Sequence, residues 1–597
     1  MISRRTLLAT GTATMGLAGL SLPAHAQEAS APLNALFERY FDQTLVRNPE
    51  RATGLGDKRG QDRWNDDSDA YAAQNLAFQV KTNQEVAALA ATMKLNQTDA
   101  LSVRLFDKLT QNAKANAPYR GHAYVFDQHN GAQSGIPTFL ANNHSVANLE
   151  DAQAYIARLE AMPEKVGGLL ARSADSAAKG ITPPRHLYDF VLSNCQNLLA
   201  GAPFTETGKD SVFWSDIKGK IDKTTLDTAT KDRLKAQARA ALMDKVKPAY
   251  EAIIAEMTKQ QAKARTTDGV WALPDGEAYY AERLATQTTT RLTANEIHQL
   301  GLDAVARIHG EMETIMRKVG FTGTRDAFFD FMETDPRFFV ADTPEGKASY
   351  VAKATALIDT MRERLPTAWF SVMPKAPLEV RAVEAFREAS AGLAFYSRPS
   401  ADGKRPGYYY VNTFNVKAIP TYQMEALAYH EGLPGHHMQI AIAQELQGIP
   451  RFRKFSGFTA YSEGWGLYTE RLGKDMGFYQ DPYSDFGRQV LELRRAIRLV
   501  VDTGLHAKRW PKEQAIAYIL ANQPGDLESA TRDINRYIVM PGQATAYMIG
   551  QMEILRLRAD AQRRLGSRYD IKKFHDIVLS SGFVPLDILK ELVEAWV

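Results

Sequence analysis

Residues 430–437 read His-Glu-Gly-Leu-Pro-Gly-His-His, which places three of the chain's twelve histidines in eight positions. An acid flanked by histidines is the material of a hydrolytic metal site: imidazoles hold the ion, and a carboxylate takes a proton from water. A zinc peptidase helix normally spaces its two histidines at i and i+4, on one face. Here the next histidines after His430 stand at i+6 and i+7. On a regular helix i+6 points about 240° around the axis, and i+7 lies roughly 10.5 Å along it. Neither position lets both rings reach one metal at about 2.0–2.1 Å. The inserted residues suggest how the spacing is rescued. Pro434 has no N–H, and Gly432 and Gly435 permit backbone angles closed to other residues. The expectation is a helix that bulges between Glu431 and His436, loops out two residues and brings His436 to the place of i+4. His437 is its rival as second ligand. Glu431 stays beside the metal as general base.

A third ligand should come from a neighbouring helix. In Tyr461–Leu472, Glu463 and Glu470 are seven apart and share a face. Either could reach the metal while the other orients a histidine. Glu463 follows His436 by 27 residues, enough for a turn and a returning helix. Further along, Arg498, Asp502 and His506 form a stripe at i, i+4 and i+8. It could anchor a substrate carboxylate or support the metal site, or be an intrahelical ion-pair ladder. Arg536-Tyr537 precedes Pro541-Gly-Gln-Ala-Thr-Ala-Tyr547. A phenol or imidazole aimed at a developing oxyanion would help a metal cleave an amide. Tyr547 is the first candidate and His506 the second.

The elements that must carry these groups read as mostly helical. Residues 293–318 open with a capping box, Thr293-x-x-Glu296, and continue with apolar residues at helical spacing. Residues 485–509 and 545–565 keep the same period, as do 228–262 with an interruption near Pro248. The clearest strand is Tyr408–Thr413. Extended to Asn415 and exposed beside the metal helix, it could take an extended peptide by strand addition, or it could be a buried hairpin strand. The loop Thr266–Gly276 divides an N-terminal helical region, 27–275, from a C-terminal one, 276–597.

Composition sets the outer bounds. The 597 residues are 45% hydrophobic and 24% charged, with 40 Gly and 26 Pro, ordinary globular values. With 72 basic and 69 acidic residues the net charge is +3, too little excess to coat nucleic acid. Cys195 is the single cysteine, which excludes internal disulfides and thiolate zinc sites. A mean hydropathy of −0.33 argues against a polytopic membrane protein. Residues 1–26 carry Arg4-Arg5, a mild apolar stretch Leu7–Leu22 and Ala24-His-Ala26, the layout of a twin-arginine signal peptide cut near Gln27. The expectation is a periplasmic protein with no stable membrane insertion. Neither a Gly-x-Ser-x-Gly elbow nor a phosphate-binding Gly-rich loop occurs.

Several of these stretches together resemble the bacterial domain-of-unknown-function family 885 (DUF885), grouped by resemblance with the zincin-like metallopeptidases. They are Leu273–Tyr280, Arg405–Asn412, His430–His437, Glu463–Trp465, Asp502–His506, and Arg536-Tyr537 with Pro541–Ala544. The resemblance covers most of residues 30–597. It implies a mainly α, oligopeptidase-like fold with a central channel and a small β element beside the metal helix. The dipeptidyl-peptidase III family is similar, with one inserted residue in the motif rather than two. In the thimet-oligopeptidase-like family a ligand Glu is followed by another Glu at i+7, which favours Glu463 as ligand. The resulting expectation is a zinc metallopeptidase acting on short peptides, with one Zn²⁺ per chain held by His430, His436 and Glu463. Glu431 would be the base, and Tyr547 or His506 the oxyanion donor. A metal-dependent amidase or esterase, or a catalytically silent peptide-binding protein, are the alternatives.

Overall fold

The computed structural model describes residues 30–597 except 207, 384–387, 389–391 and 401–404. The signal-like segment 1–26 lies outside the described residues. Helices dominate, and one three-stranded sheet accompanies them.

Where the sequence carries a strong local signal, the helix forms there. Helix Ala294–Lys318 starts on Thr293, and both halves of the capping box are made: Glu296 N–H donates to Thr293 Oγ1, and Thr293 N–H donates to Glu296 Oε2 at 2.8 Å. The interruption expected near Pro248 is a one-turn π segment, Leu242–Val246, between helices Thr228–Ala241 and Lys247–Gln261. Pro248 follows that segment directly, and the wider turn accommodates a residue that has no N–H to donate.

The side chains form two apolar cores. The smaller is built from Val125 to Ala264. The larger joins Leu33–Phe106, with Ile181 and Leu187, to elements from Val270 to Val593. Through the larger core runs helix Pro482–His506, in which every residue from Phe486 to His506 except Arg494 is buried. A helix buried on all sides must satisfy its own charges. Its Glu492 carboxylate accepts from Arg307 at 2.7 Å and Arg488 at 2.8 Å, and these cations hold it below the usual carboxylate range despite burial.

Two close helix pairs fix the frame. Gly301 lets helix Ala294–Lys318 approach Pro482–His506: a Cβ there would stand 2.8 Å from Leu499 Cβ. Helix Thr459–Asp475, which carries Glu463 and Glu470, meets helix Ala546–Leu565 backbone to backbone. A Cβ on Gly464 would lie 2.4 Å from Gly550 Cα.

The sheet has the order β1 (Leu378–Ala382), β3 (Gly407–Val411), β2 (Ala394–Ser397). β3 pairs parallel with β1, in the register Val380 to Tyr409, and antiparallel with β2, Phe395 to Tyr410. The expected strand exists, but its role in strand addition does not survive. Both hydrogen-bonding edges of β3 are occupied by its neighbours, so no peptide can pair with it. The sheet lies against helices Pro344–Ala368 and Met424–Glu431 and so flanks the histidine motif.

Candidate metal centre

The motif is not one bulged helix. Helix Met424–Glu431 ends, the chain turns through Gly432–Gly435, and a new helix, His436–Glu445, begins. This corrects the expected two-residue bulge: the interruption is complete. Gly435 shows why the chain can turn so tightly, since a Cβ there would lie 2.0 Å from the His430 carbonyl oxygen. Helix Thr459–Asp475 ties the break down. The Trp465 indole N–H donates to the Pro434 carbonyl at 2.9 Å, and the Thr469 hydroxyl donates to the Tyr429 carbonyl at 3.1 Å.

The break brings His430, His436 and Glu463 together, with one ligand-capable atom of each within 4.8 Å of the others. The two imidazole centroids are 4.6 Å apart, edge to face. Glu463 Oε2 stands 3.4 Å from His436 Nε2 and 3.7 Å from His430 Nε2. These separations exceed the ~2.7–2.9 Å of charge-assisted hydrogen bonds. They are close to the roughly 3.4 Å edge of a tetrahedron whose corners lie about 2.1 Å from a central ion. The donor set, two imidazole nitrogens and a carboxylate, suits zinc.

The surroundings support the fit. His430 Nδ1 donates to Glu470 Oε1 at 2.7 Å, which fixes the tautomer and leaves Nε2 as the nitrogen that could bind a metal. Glu470 is itself buried, with Arg495 at 3.7 Å. Gly466 leaves room for the His430 ring: a Cβ there would lie 2.7 Å from its Cε1. Burial disfavours charge on His430, but the carboxylates of Glu463, Glu470 and Glu431 outweigh it and raise its pKa to about 10. Burial likewise works against the Glu463 carboxylate, and the two imidazoles overcome that and hold it well below the usual carboxylate range. His430 is buried, whereas the His436 and Glu463 side chains keep 13% and 22% exposure, so the cluster is open on one side.

The remaining candidates separate. His437 points elsewhere: its Nε2 is 3.0 Å from the Ala376 carbonyl, its Nδ1 is 3.1 Å from the Tyr396 hydroxyl, and burial pushes its pKa down to about 4. His506 is not brought to the cluster. Val270 N–H donates to its Nδ1 at 3.2 Å, and its Nε2–H donates to the Tyr537 carbonyl at 3.0 Å, so both ring nitrogens are used on backbone. The Arg498–Asp502–His506 stripe is not a mutual ion-pair ladder. Arg498 Nε donates to the Tyr537 hydroxyl at 2.9 Å, and Asp502 accepts from the Tyr280 hydroxyl at 2.6 Å and from Gly542 N–H. All three tie the central helix to other elements: Arg498 and His506 to Tyr537, Asp502 to Tyr280 and Gly542, and His506 also to Val270.

Tyr547 lies under Arg498, 4.8 Å from ring centroid to guanidinium, and 5.9 Å from Arg495, which reaches Glu470. Sequence reasoning missed Arg495 and Tyr409. Arg495 extends the charged stripe by one turn, a signal that was readable. The Tyr409 hydroxyl is fully buried on the face of β3 turned to the helices. It has no hydrogen-bond partner among the described residues, and burial, Tyr350 and Glu431 raise its pKa well above the usual phenol value. Three surface cavities of about 710, 690 and 490 Å³ lie away from the cluster, none of them lined by His430, His436 or Glu463.

Fold and site define a mainly helical protein organised around an inward-facing His–His–Glu cluster. The chain belongs to the bacterial family of proteins of unknown function DUF885, which it matches over residues 49–593. It is similar to a Colwellia psychrerythraea protein of known crystal structure, described as a lipoprotein, with 29% identity and a TM-score of 0.89, covering 95% of this chain and 98% of that one. A Shewanella oneidensis protein, described as a lipoprotein of unknown function, shares the fold at 20% identity and a TM-score of 0.72, over 95% of this chain and 100% of that one. No curated protein matches the chain.

Proposed function

We propose that this protein is a zinc-dependent peptidase that hydrolyses short peptides. The observation that carries the reading is the His430–His436–Glu463 cluster, with its separations near a tetrahedral edge and His430 held by Glu470. A divalent metal bound there supplies Lewis acidity to water and to the scissile carbonyl. Glu431, adjoining His430 in sequence and felt by it electrostatically, takes a proton from water and returns it to the leaving amine. Glu470 keeps the His430 Nδ1 proton in place. Tyr547, held beneath Arg498, is the donor for the developing oxyanion. His506 is not given that role, because its nitrogens are already engaged.

The Arg4-Arg5 segment and the two structural relatives described as lipoproteins support an exported, periplasmic protein using the twin-arginine route. Among the described residues no helix is long and apolar enough to cross a membrane.

The test is metal stoichiometry on the mature chain together with a peptide-library screen. About one zinc per chain should be found, and it should be lost in His430→Ala. Glu431→Gln should keep the metal and lose hydrolysis. A wild-type chain that neither carries zinc nor takes it up would overturn the reading.

A further inference from the structure

A second polar feature lies outside the His–Glu cluster. A cavity of about 690 Å³ opens among helices Ala31–Arg47, Asp69–Ala90 and Met162–Ala178 and the turn Ala117–His122. Its volume is in the range of small-molecule sites. Five cations line it, but only two carboxylates, Asp69 and Asp175. Both acids are already committed, Asp69 to Arg120 at 2.7 Å and Asp175 to Lys179 at 2.6 Å. Among the described residues, Arg47, Arg51 and Arg172 have no carboxylate partner.

The unpaired cations leave polar atoms stranded. Nε of Arg47 and Nε of Arg172 are buried without a hydrogen-bond partner. Arg47 is held over the Phe78 ring at 4.8 Å and donates from Nη1 to Asn75 Oδ1 at 3.1 Å, Arg172 donates from Nη2 to the Ala123 carbonyl at 3.3 Å, and Arg51 lies over Phe41 at 5.4 Å, so none of the three is directed by an acid. Burial and the neighbouring charge of Arg120 both weaken the hold of Arg172 on its proton. His122 is only 6% exposed. Its Nε2–H donates to the Pro274 carbonyl at 2.7 Å, while Nδ1 on the other side is buried and unpartnered. Native structures rarely leave buried donors and acceptors unmatched, and cations are seldom crowded without a counter-charge. Three guanidiniums with free N–H groups around one cavity form a receptor for planar or tetrahedral oxyanions.

We propose that this cavity binds a small organic anion bearing two or more carboxylate or phosphate groups, with Arg47, Arg51 and Arg172 as its counter-charges and His122 Nδ1 as an acceptor for a ligand donor. The inference is independent of the metal site.

Calorimetric titration and thermal melting of the mature chain test it, with citrate as the carboxylate probe and pyrophosphate as the phosphate probe. At least one probe should bind and raise Tm by mass action, with affinity falling as salt is added. Whichever probe binds identifies the oxyanion class. Arg51→Ala and Arg172→Ala should each weaken binding about tenfold. Should Arg172→Ala fail to fold, Arg172→Lys keeps the charge but loses the fork, and it should still weaken binding. Arg556→Ala, at an exposed ion pair with Glu553, should bind as wild type does. Binding of neither probe, or equal binding by the wild type and both cavity variants, would overturn the proposal.

Discussion

At the scale of single residues, Glu470 is the strongest support for the proposed metal site, because a chance meeting of histidines needs no such partner. It is buried, it accepts the Nδ1–H of His430, and it leaves the opposite nitrogen facing Glu463 and His436. Partners of this kind typically change metal affinity by about 10–100-fold when removed. Glu470→Ala should therefore lower zinc affinity by that order, measured by competition with a chromogenic chelator, while Glu470→Gln should lose less. If Glu470→Ala bound zinc as tightly as wild type, the orienting role would be wrong. Glu463→Ala should do more damage, because it removes a ligand rather than its support.

At the scale of elements, the site depends on how closely helix Thr459–Asp475 approaches the broken helix pair. Gly466 faces the His430 imidazole with no room for a methyl group. Gly466→Ala should displace that ring, weaken zinc binding and cost about 1–3 kcal/mol of stability, as overpacked positions do. Zinc titration and thermal melting check this together. If the variant keeps wild-type affinity and Tm, the approach is looser than the structure indicates. Local pattern in the sequence pointed to both helices, and Pro434 and the two glycines marked the break between them. That the break is complete, rather than a bulge, depended on where Trp465 and Thr469 could hydrogen bond, which no local pattern states.

At the scale of the whole molecule, the buried stripe on helix Pro482–His506 works as a set of fasteners. His506 joins the loop at Val270 to the backbone at Tyr537, and it can do so only as a neutral ring, accepting at Nδ1 and donating at Nε2. Burial lowers its pKa to about 4. A folded pKa below the unfolded value of about 6.5 gives stability that is present above pH 6.5 and is lost as pH falls toward 4. The full loss would be about 3 kcal/mol. Asp502 runs the other way: burial raises its pKa to about 7, so its contribution weakens as pH rises from about 4 toward 7. Melting wild type and His506→Gln between pH 7.5 and 5 (roughly the window set by these pKa values) separates the two. The variant should be less stable at pH 7.5 and should lose less on acidification. Equal slopes for both proteins would remove His506 from the account.

Amino-acid order was enough to read the helical class, the capped start at Thr293 and the set of residues from which a metal site could be made, because helix periodicity, capping and ligand chemistry are properties of nearby residues. It also favoured Glu463 over Glu470 through a family resemblance. Long-range packing set the other outcomes. It turned His437 toward Ala376 and Tyr396, used both nitrogens of His506 on backbone, enclosed β3 between two strands, and left Arg47, Arg51 and Arg172 around a cavity without acids to neutralise them. Each of these outcomes depends on which partner arrives from a distant part of the chain, and the direction of a side chain is fixed by that partner rather than by its own neighbours in sequence.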